Sequence, residues 1–206
     1  RVSADPPARI PPARDPADRP PLASAAGDTW LDFALRAVIP GTIGTILVGI
    51  GALGVGWLPL DTALLDNSVV DALRSTTLGA VVSKSAVVIG VVLLLQSWLL
   101  VGYDVMRGLD RDIKRLWVAL AAWSVPLMCC PPLFSRDVYS YFAQGKLMAA
   151  GIDPYTRGSS SVPGWFNDGV DPMWAEVPTP YGQFWLLLAR GVVEFTGPHP
   201  YSGALV

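Results

Sequence analysis

The chain has 206 residues, of which 51% are hydrophobic and only 16% are charged. This composition is richer in apolar residues and poorer in charge than that of an ordinary soluble domain. A formal net charge of -2 provides no basic footprint, so we expect no nucleic-acid partner. The two cysteines are adjacent and the single histidine stands alone, so the residues predict no cofactor and no zinc site. A divalent metal is left as an open alternative.

Residues 1–28 are rich in Pro, Ala, Arg and Asp, with seven prolines in the first 21 positions. Such a segment buries too little apolar surface to offset the entropy of ordering the chain. We therefore predict a disordered cytoplasmic tail. The chain starts at Arg1 rather than Met and stops in mid-pattern at Val206, so we expect it to be a fragment of a larger protein.

Three apolar runs without a charged residue follow the tail, at about 38–58, 86–103 and 116–134. About 20 apolar residues in a helix, with a rise of about 1.5 Å per residue, cross the roughly 30 Å hydrocarbon core of a bilayer. We therefore predict an all-α fold, a polytopic bundle of transmembrane helices. The GxGxxG pattern at 49–54 lies inside the first run, and we interpret it as small residues that let helices pack closely rather than as a dinucleotide site.

The basic residues predict an orientation, because cytoplasmic loops carry an excess of Lys and Arg. Four basic residues crowd the link at 104–115, whereas the longer link at 59–85 holds only two. The chain is therefore expected to be a multi-pass protein of the plasma membrane with the link at 104–115 in the cytoplasm. The loop at 135–181 is then extracytoplasmic, and the weaker apolar segment at 183–196 is a partial helix.

The predicted extracytoplasmic loop contains the candidate chemistry. Its first part, 137–150, is expected to form a short helix that ends at Gly151. Asp137, Ser140 and Gln144 are spaced at i, i+3 and i+7, so one face of this helix presents an acid, a hydroxyl and an amide. Two interpretations of the acid stand side by side: a helix N-cap, or a general base held against a nucleophile.

Other residues of this loop have chemistry suited to a sugar or a phosphate. Basic side chains would neutralise a lipid phosphate, or would be plain interfacial residues. Trp165, Phe166 and Trp174 would stack on sugar faces or form an interfacial aromatic belt. The candidate substrate-binding residues are Arg136, Ser140, Gln144, Lys146, Asp153, Tyr155, Glu176, Tyr181 and Gln183.

Four stretches carry a resemblance to a known family. They are Phe-Ser-Arg-Asp-Val-Tyr-Ser-Tyr at 134–141, the helix end at 145–151, Gly-Ile-Asp-Pro-Tyr at 151–155 and Pro-Thr-Pro-Tyr-Gly-Gln-Phe-Trp at 178–185. In these stretches the chain resembles the GT-C superfamily of integral-membrane glycosyltransferases. It is most similar to the actinobacterial α-1,6-mannosyltransferases that use polyprenol-phosphate mannose.

The resemblance implies that residues 29–206 are the N-terminal part of a GT-C transmembrane domain. The family's catalytic aspartate, outside the membrane, falls on Asp137. The implied activity is inverting transfer of mannose from polyprenyl phosphate mannose to the α-1,6-mannan of lipomannan or lipoarabinomannan, so the expected partners are that donor, the mannan acceptor and the bilayer. Two alternatives stay open: a GT-C enzyme with another lipid-linked sugar such as arabinose, and a non-enzymatic lipid-phosphate transporter or envelope scaffold.

Overall fold

A computed structural model describes residues 29–108, 112–197 and 199–200. Helices and loops make up these residues, and none of them forms a strand. The all-α prediction is therefore confirmed for the described part of the chain. The predicted disordered tail, 1–28, lies outside it.

Six helices are numbered here in chain order. They are α1 Trp30–Val55, α2 Ser68–Ser75, α3 Thr77–Met106, α4 Ile113–Met128, α5 Asp137–Ala149 and α6 Gln183–Thr196. Short 3-10 turns lie between them at Ala63–Asp66, Ser159–Ser161 and Pro172–Trp174. α1 and α3 are long and apolar enough to cross a membrane, whereas the predicted polytopic bundle stays a prediction.

The first apolar run lies in α1, which begins earlier and ends sooner than predicted. A turn of π-helix at Ala34–Val38 precedes Pro40, which has no N–H for the carbonyl of the preceding turn. The helix ends at Val55 because Gly56 is extended, with ψ 168°. Arg74 from α2 satisfies this end, donating Nη1–H to the carbonyls of Leu53 at 2.9 Å and Gly56 at 3.1 Å.

The second run, predicted at 86–103, is the central part of the 30-residue helix α3. The helix starts at Thr77, where the hydroxyl of Thr76 accepts the N–H of Gly79 at 2.9 Å. Lys84 interrupts the apolar run but not the helix, because its side chain is exposed and a charge does not break backbone hydrogen bonding. The apolar run therefore marks only the most hydrophobic part of the helix.

The third run, predicted at 116–134, does not form one helix. α4 is 16 residues long and ends at Met128, two residues after Pro126. Pro131 and Pro132 lie beyond its end in irregular chain. Because proline has no N–H and clashes with the preceding turn, this cluster ends the helix before the apolar run is exhausted.

Glycines bring α1 and α3 into close contact. A Cβ atom at Gly44 would lie 2.6 Å from the carbonyl oxygen of Gly90, and one at Gly51 would lie 2.6 Å from a methyl group of Val87. A Cβ atom at Gly54 would overlap the side chain of Ser83. The structure thus confirms that the GxGxxG pattern is a packing surface, since any larger residue would push the helices apart.

The two ends of the long helices contact different parts of the chain. At the Val55 end of α1, the N–H of Trp57 donates to Pro132 at 2.7 Å, and the N–H of Leu60 donates to Asn167 at 2.8 Å. At the other end, the guanidinium of Arg115 lies 5.2 Å from the ring centroid of Trp30. The α1–α2 link and the long loop after α4 therefore share one end of the long helices, and the start of α4 lies at the other.

Candidate functional site

Helix α5 supports the candidate site. The hydroxyl of Ser135 accepts the N–H of Asp137 at 3.0 Å, and Gly151 follows the helix in a left-handed conformation with φ 71°. The predicted short helix with Gly151 as its stop is confirmed. The N-cap interpretation of Asp137 is wrong, because Arg136 occupies the cap position and Asp137 is the first helical residue. Its carboxylate therefore lies where the helix dipole favours negative charge and is not used in capping.

One face of α5 is buried against the loop that follows it. Tyr139, Ala143 and Leu147 pack with Val162 and Val170, and all five are nearly inaccessible to solvent. The hydroxyl of Tyr139 also donates to the carbonyl of Trp57 at 2.8 Å. The helix is thus held between the loop and the α1–α2 link, which fixes the direction of its other face.

Two predicted phosphate ligands, Arg136 and Lys146, contact the protein itself. Arg136 donates to the carbonyls of Gly169 at 2.8 Å and Val170 at 3.2 Å. Lys146 forms a partly buried ion pair with Asp168, with an Nζ–Oδ2 distance of 2.6 Å. These contacts attach the loop at 168–170 to α5, and neither side chain lines the cleft that contains Asp137.

The polar stripe of α5 lines a narrow cleft of ≈ 70 Å³. Its walls are Asp137, Ser140, Tyr141, Gln144, Trp174, Val177, Pro178, Pro180 and Tyr181. The structure therefore brings four of the predicted site residues together: the acid, the hydroxyl and the amide of the stripe, with Tyr181 opposite. Sequence reasoning grouped the first three by helical periodicity, and the fourth reaches them through the loop fold.

The polar atoms of this cleft differ in how they are engaged. The carboxylate of Asp137 accepts the indole N–H of Trp174 at 3.0 Å. The amide oxygen of Gln144 accepts the hydroxyl of Thr179 at 3.0 Å. The side chain of Ser140 is 4% exposed, and its hydroxyl has no partner among the described residues. A buried hydroxyl without a partner carries a free-energy cost that a bound ligand would relieve.

Aromatic residues close one side of the cleft. The hydroxyls of Tyr141 and Tyr181 lie 3.3 Å apart, and the ring of Trp185 packs edge-on to Tyr141 with the centroids 5.5 Å apart. The hydrogen bond to Tyr181, with a smaller contribution from burial, raises the pKa of Tyr141 to about 12. The Tyr141 phenol therefore stays protonated at neutral pH.

A second, larger cavity has a volume of ≈ 450 Å³. Its lining includes three more predicted residues, Asp153, Tyr155 and Gln183, among Met148, Ile152, Leu186 and Leu187. Asp153 accepts the N–H of Tyr155 at 2.9 Å in a local turn, and the hydroxyl of Tyr155 donates to the carbonyl of Tyr181 at 2.9 Å. This second hydrogen bond links a residue that lines the larger space to one that lines the cleft. Asp137, Ser140 and Gln144 line the smaller space, whereas the larger one is mainly apolar and its carboxylate is engaged in a turn.

The remaining predicted residue, Glu176, is exposed and lines neither space. Tyr141 is a polar cleft residue that sequence reasoning did not select, whereas Trp174 is predicted from the sequence to stack on a sugar or to belong to an interfacial belt. Tyr141 follows Asp137 at i+4, a spacing that places it on the same side of the helix and could have revealed it. Within the described residues, no group of three or more His, Cys, Asp or Glu side chains could hold a metal ion.

The fold and the cleft define a helical protein with an acid at the start of a short helix that follows long apolar helices. The family model described as "Alpha-(1->6)-mannopyranosyltransferase, N-terminal domain" matches residues 38–206, and the chain belongs to that family. It is 33% identical over 189 residues to a probable alpha-(1->6)-mannopyranosyltransferase of Mycolicibacterium smegmatis, covering 90% of this chain and 33% of that protein.

Two further relatives have similar names. The chain is 33% identical to alpha-(1->6)-mannopyranosyltransferase A of Mycobacterium tuberculosis, with 81% of this chain and 32% of the relative covered. It is also 33% identical to alpha-(1->6)-mannopyranosyltransferase B of Corynebacterium glutamicum, with 80% of this chain and 29% of the relative covered. The chain thus spans about a third of the length of these relatives. No solved structure matches it.

Proposed function

We propose that this chain belongs to a membrane mannosyltransferase that extends an α-1,6-mannan with mannose from polyprenyl phosphate mannose. The observation that carries the proposal is the carboxylate of Asp137, held at the start of α5 in a cleft with the unpartnered hydroxyl of Ser140. Family membership supports the reaction class, because the relatives are named mannopyranosyltransferases.

In the proposed reaction, a hydroxyl of the mannan acceptor attacks the anomeric carbon of the donor. The new glycosidic bond forms as the bond to the phosphate breaks, and the lipid phosphate leaves with the electron pair. Asp137 accepts the proton of the attacking hydroxyl. Because the donor is a β-linked phosphate and the product an α-mannoside, attack occurs from the opposite face with inversion. Ser140 and Gln144 bind sugar hydroxyls beside Asp137.

The proposed donor is lipid-linked, which suits the surroundings of the cleft. The larger cavity has an apolar wall of Met148, Ile152, Leu186 and Leu187, of the kind that holds a prenyl group. Arg136 precedes Asp137, but its guanidinium already donates to the carbonyls of Gly169 and Val170 and does not line the cleft, so we do not assign it to the departing phosphate. We leave Lys146 out of this role, because its ammonium is already paired with Asp168.

The proposed location is the plasma membrane, with several crossings and an extracytoplasmic cleft. Supporting this, the cleft shares one end of the bundle with the α1–α2 link, while Arg107, Lys114 and Arg115 lie near the other end. A lipid-linked donor also fits that side, because it does not depend on cytoplasmic nucleotide sugars.

The experiment is a transfer assay with the purified full-length protein, radiolabelled polyprenyl phosphate mannose and a short α-1,6-mannoside. Asp137→Asn keeps the size of the side chain and an acceptor for Trp174 but removes the base, so we expect kcat to fall on the order of 10²–10⁴-fold. Asp61→Asn, an exposed carboxylate on the α1–α2 link, is the matched control and should leave kcat unchanged.

The melting temperature of each variant is measured alongside, so that loss of folding is not mistaken for loss of chemistry. Activity of Asp137→Asn within a few-fold of wild type would remove Asp137 from the reaction. Transfer from polyprenyl phosphate arabinose in place of mannose would instead show that the donor sugar in this proposal is wrong.

A further inference from the structure

The loop after α5 brings an indole to the carboxylate of Asp137, the candidate catalytic base. Trp174 ends the 3-10 turn Pro172–Trp174, which starts where the carboxylate of Asp171 accepts the N–H of Met173 at 2.9 Å. From this turn, the indole Nε1–H donates to Oδ1 of Asp137 at 3.0 Å. The two residues are 37 positions apart, so the contact depends on the folded loop and not on local helix geometry.

This hydrogen bond leaves the two oxygens of the Asp137 carboxylate inequivalent. Oδ1 accepts the indole, whereas no described residue donates to Oδ2. An indole has one donor and no acceptor, so Trp174 can orient the carboxylate but cannot take its proton. Both residues line the same cleft, and Trp174 is 37% exposed to solvent.

We propose that Trp174 is a positioning residue that fixes Asp137 through its indole N–H, so that the second carboxylate oxygen meets the attacking hydroxyl. The inference rests on the proposed function, in which Asp137 is the base. Orientation matters because a base that rotates freely spends little time within hydrogen-bond reach of its proton, and small misplacements cost up to about 10²-fold in rate. A ring that only stacks on a sugar would not need the N–H.

The test compares Trp174→Phe with Trp165→Phe in the full-length protein. Both changes remove an indole and keep an aromatic ring, but Trp165 packs on the cluster around Tyr139 and is not bonded to Asp137. For Trp174→Phe we expect kcat to fall about tenfold to a hundredfold, with the KM for the mannoside within about twofold. Trp165→Phe should leave kcat unchanged.

Unchanged kcat in Trp174→Phe, or a raised KM with unchanged kcat, would overturn the proposal, the second result being the one a stacking ring produces. If Trp174→Phe does not fold, 3-benzothienylalanine at position 174 replaces it, because sulfur substitutes for the N–H within the same ring shape. A normal kcat with that residue likewise overturns the proposal.

A second measurement is independent of activity. In protein labelled with ¹⁵N-tryptophan, the indole signal of Trp174 is the one that disappears in Trp174→Phe. We expect it to move in Asp137→Ala, which removes the acceptor, and not in Asp61→Ala. A signal that does not move contradicts the hydrogen bond and this inference alone, whereas an active Asp137→Asn contradicts the proposed base. The two failures are therefore distinguishable.

Discussion

Ser140 is buried, and none of the described residues forms a hydrogen bond with its hydroxyl. Burying a hydroxyl without such a partner costs folding free energy. In our proposal a sugar hydroxyl supplies the missing partner. The same side chain therefore opposes folding and favours the substrate.

For Ser140→Ala we expect unchanged or slightly raised thermal stability together with an increase of about fivefold in the KM for the mannoside, since a hydrogen bond contributes about 1 kcal/mol. Ser97→Ala is the matched control, because Ser97 in α3 is equally buried and also lacks a partner among the described residues, but lies outside both cavities. It should change stability in the same direction without changing KM. A normal KM in Ser140→Ala would exclude Ser140 from substrate binding.

At the scale of the elements, α5 and α6 form the frame of the site. Their contact depends on Gly145, where an added Cβ would lie 2.6 Å from the carbonyl carbon of Ala189 and 2.9 Å from a methyl group of Val193. A Cβ atom added at Gly191 on α6 would meet no atom of the described residues within 4 Å. Two helical glycines thus have opposite surroundings, which makes them a matched pair.

We expect Gly145→Ala to destabilise the protein by about 1–3 kcal/mol, because overpacking forces the helices apart. Gly191→Ala should be neutral or stabilising by up to about 1 kcal/mol, since alanine favours a helix over glycine and meets no neighbour. The melting temperatures of the two full-length variants measure the difference. Equal melting temperatures would show that α5 and α6 are not packed through Gly145.

At the scale of the whole molecule, the question is which side of the bilayer each end faces. Two highly exposed methionines mark the ends: Met106 closes α3 and is 84% exposed, and Met173 lies in the loop and is 66% exposed. Replacing either one changes no charge, so the basic residues that direct membrane insertion are unaffected.

In a cysteine-free background, we expect Met173→Cys in intact cells to react with a membrane-impermeant maleimide. Met106→Cys should react only after the cells are permeabilised, because its end of the bundle is proposed to face the cytoplasm. The fraction of protein labelled before and after permeabilisation is the measurement. The reverse pattern would place the cleft in the cytoplasm and contradict a donor that is used outside.

The sequence by itself determined the elements whose signals are local. Helical periodicity and the glycine stop predicted α5 and joined Asp137, Ser140 and Gln144 on one face, and the apolar run predicted α6 at 183–196. Hydropathy located the apolar helices but not their ends. A helix ends where backbone hydrogen bonding stops, as at the prolines after Met128, and the apolar run does not mark that point.

Only the tertiary structure decided what surrounds the acid. Trp174 reaches Asp137, and Lys146 pairs with Asp168 rather than lining the cleft, because the loop folds back over α5. Arg136 lies 4.8 Å from the ring centroid of Trp57 on a link far earlier in the chain. Such contacts join residues with no periodic relation, so no spacing predicts them. They form because the α5 face around Tyr139 is buried against the loop, and this packing holds the loop on the helix.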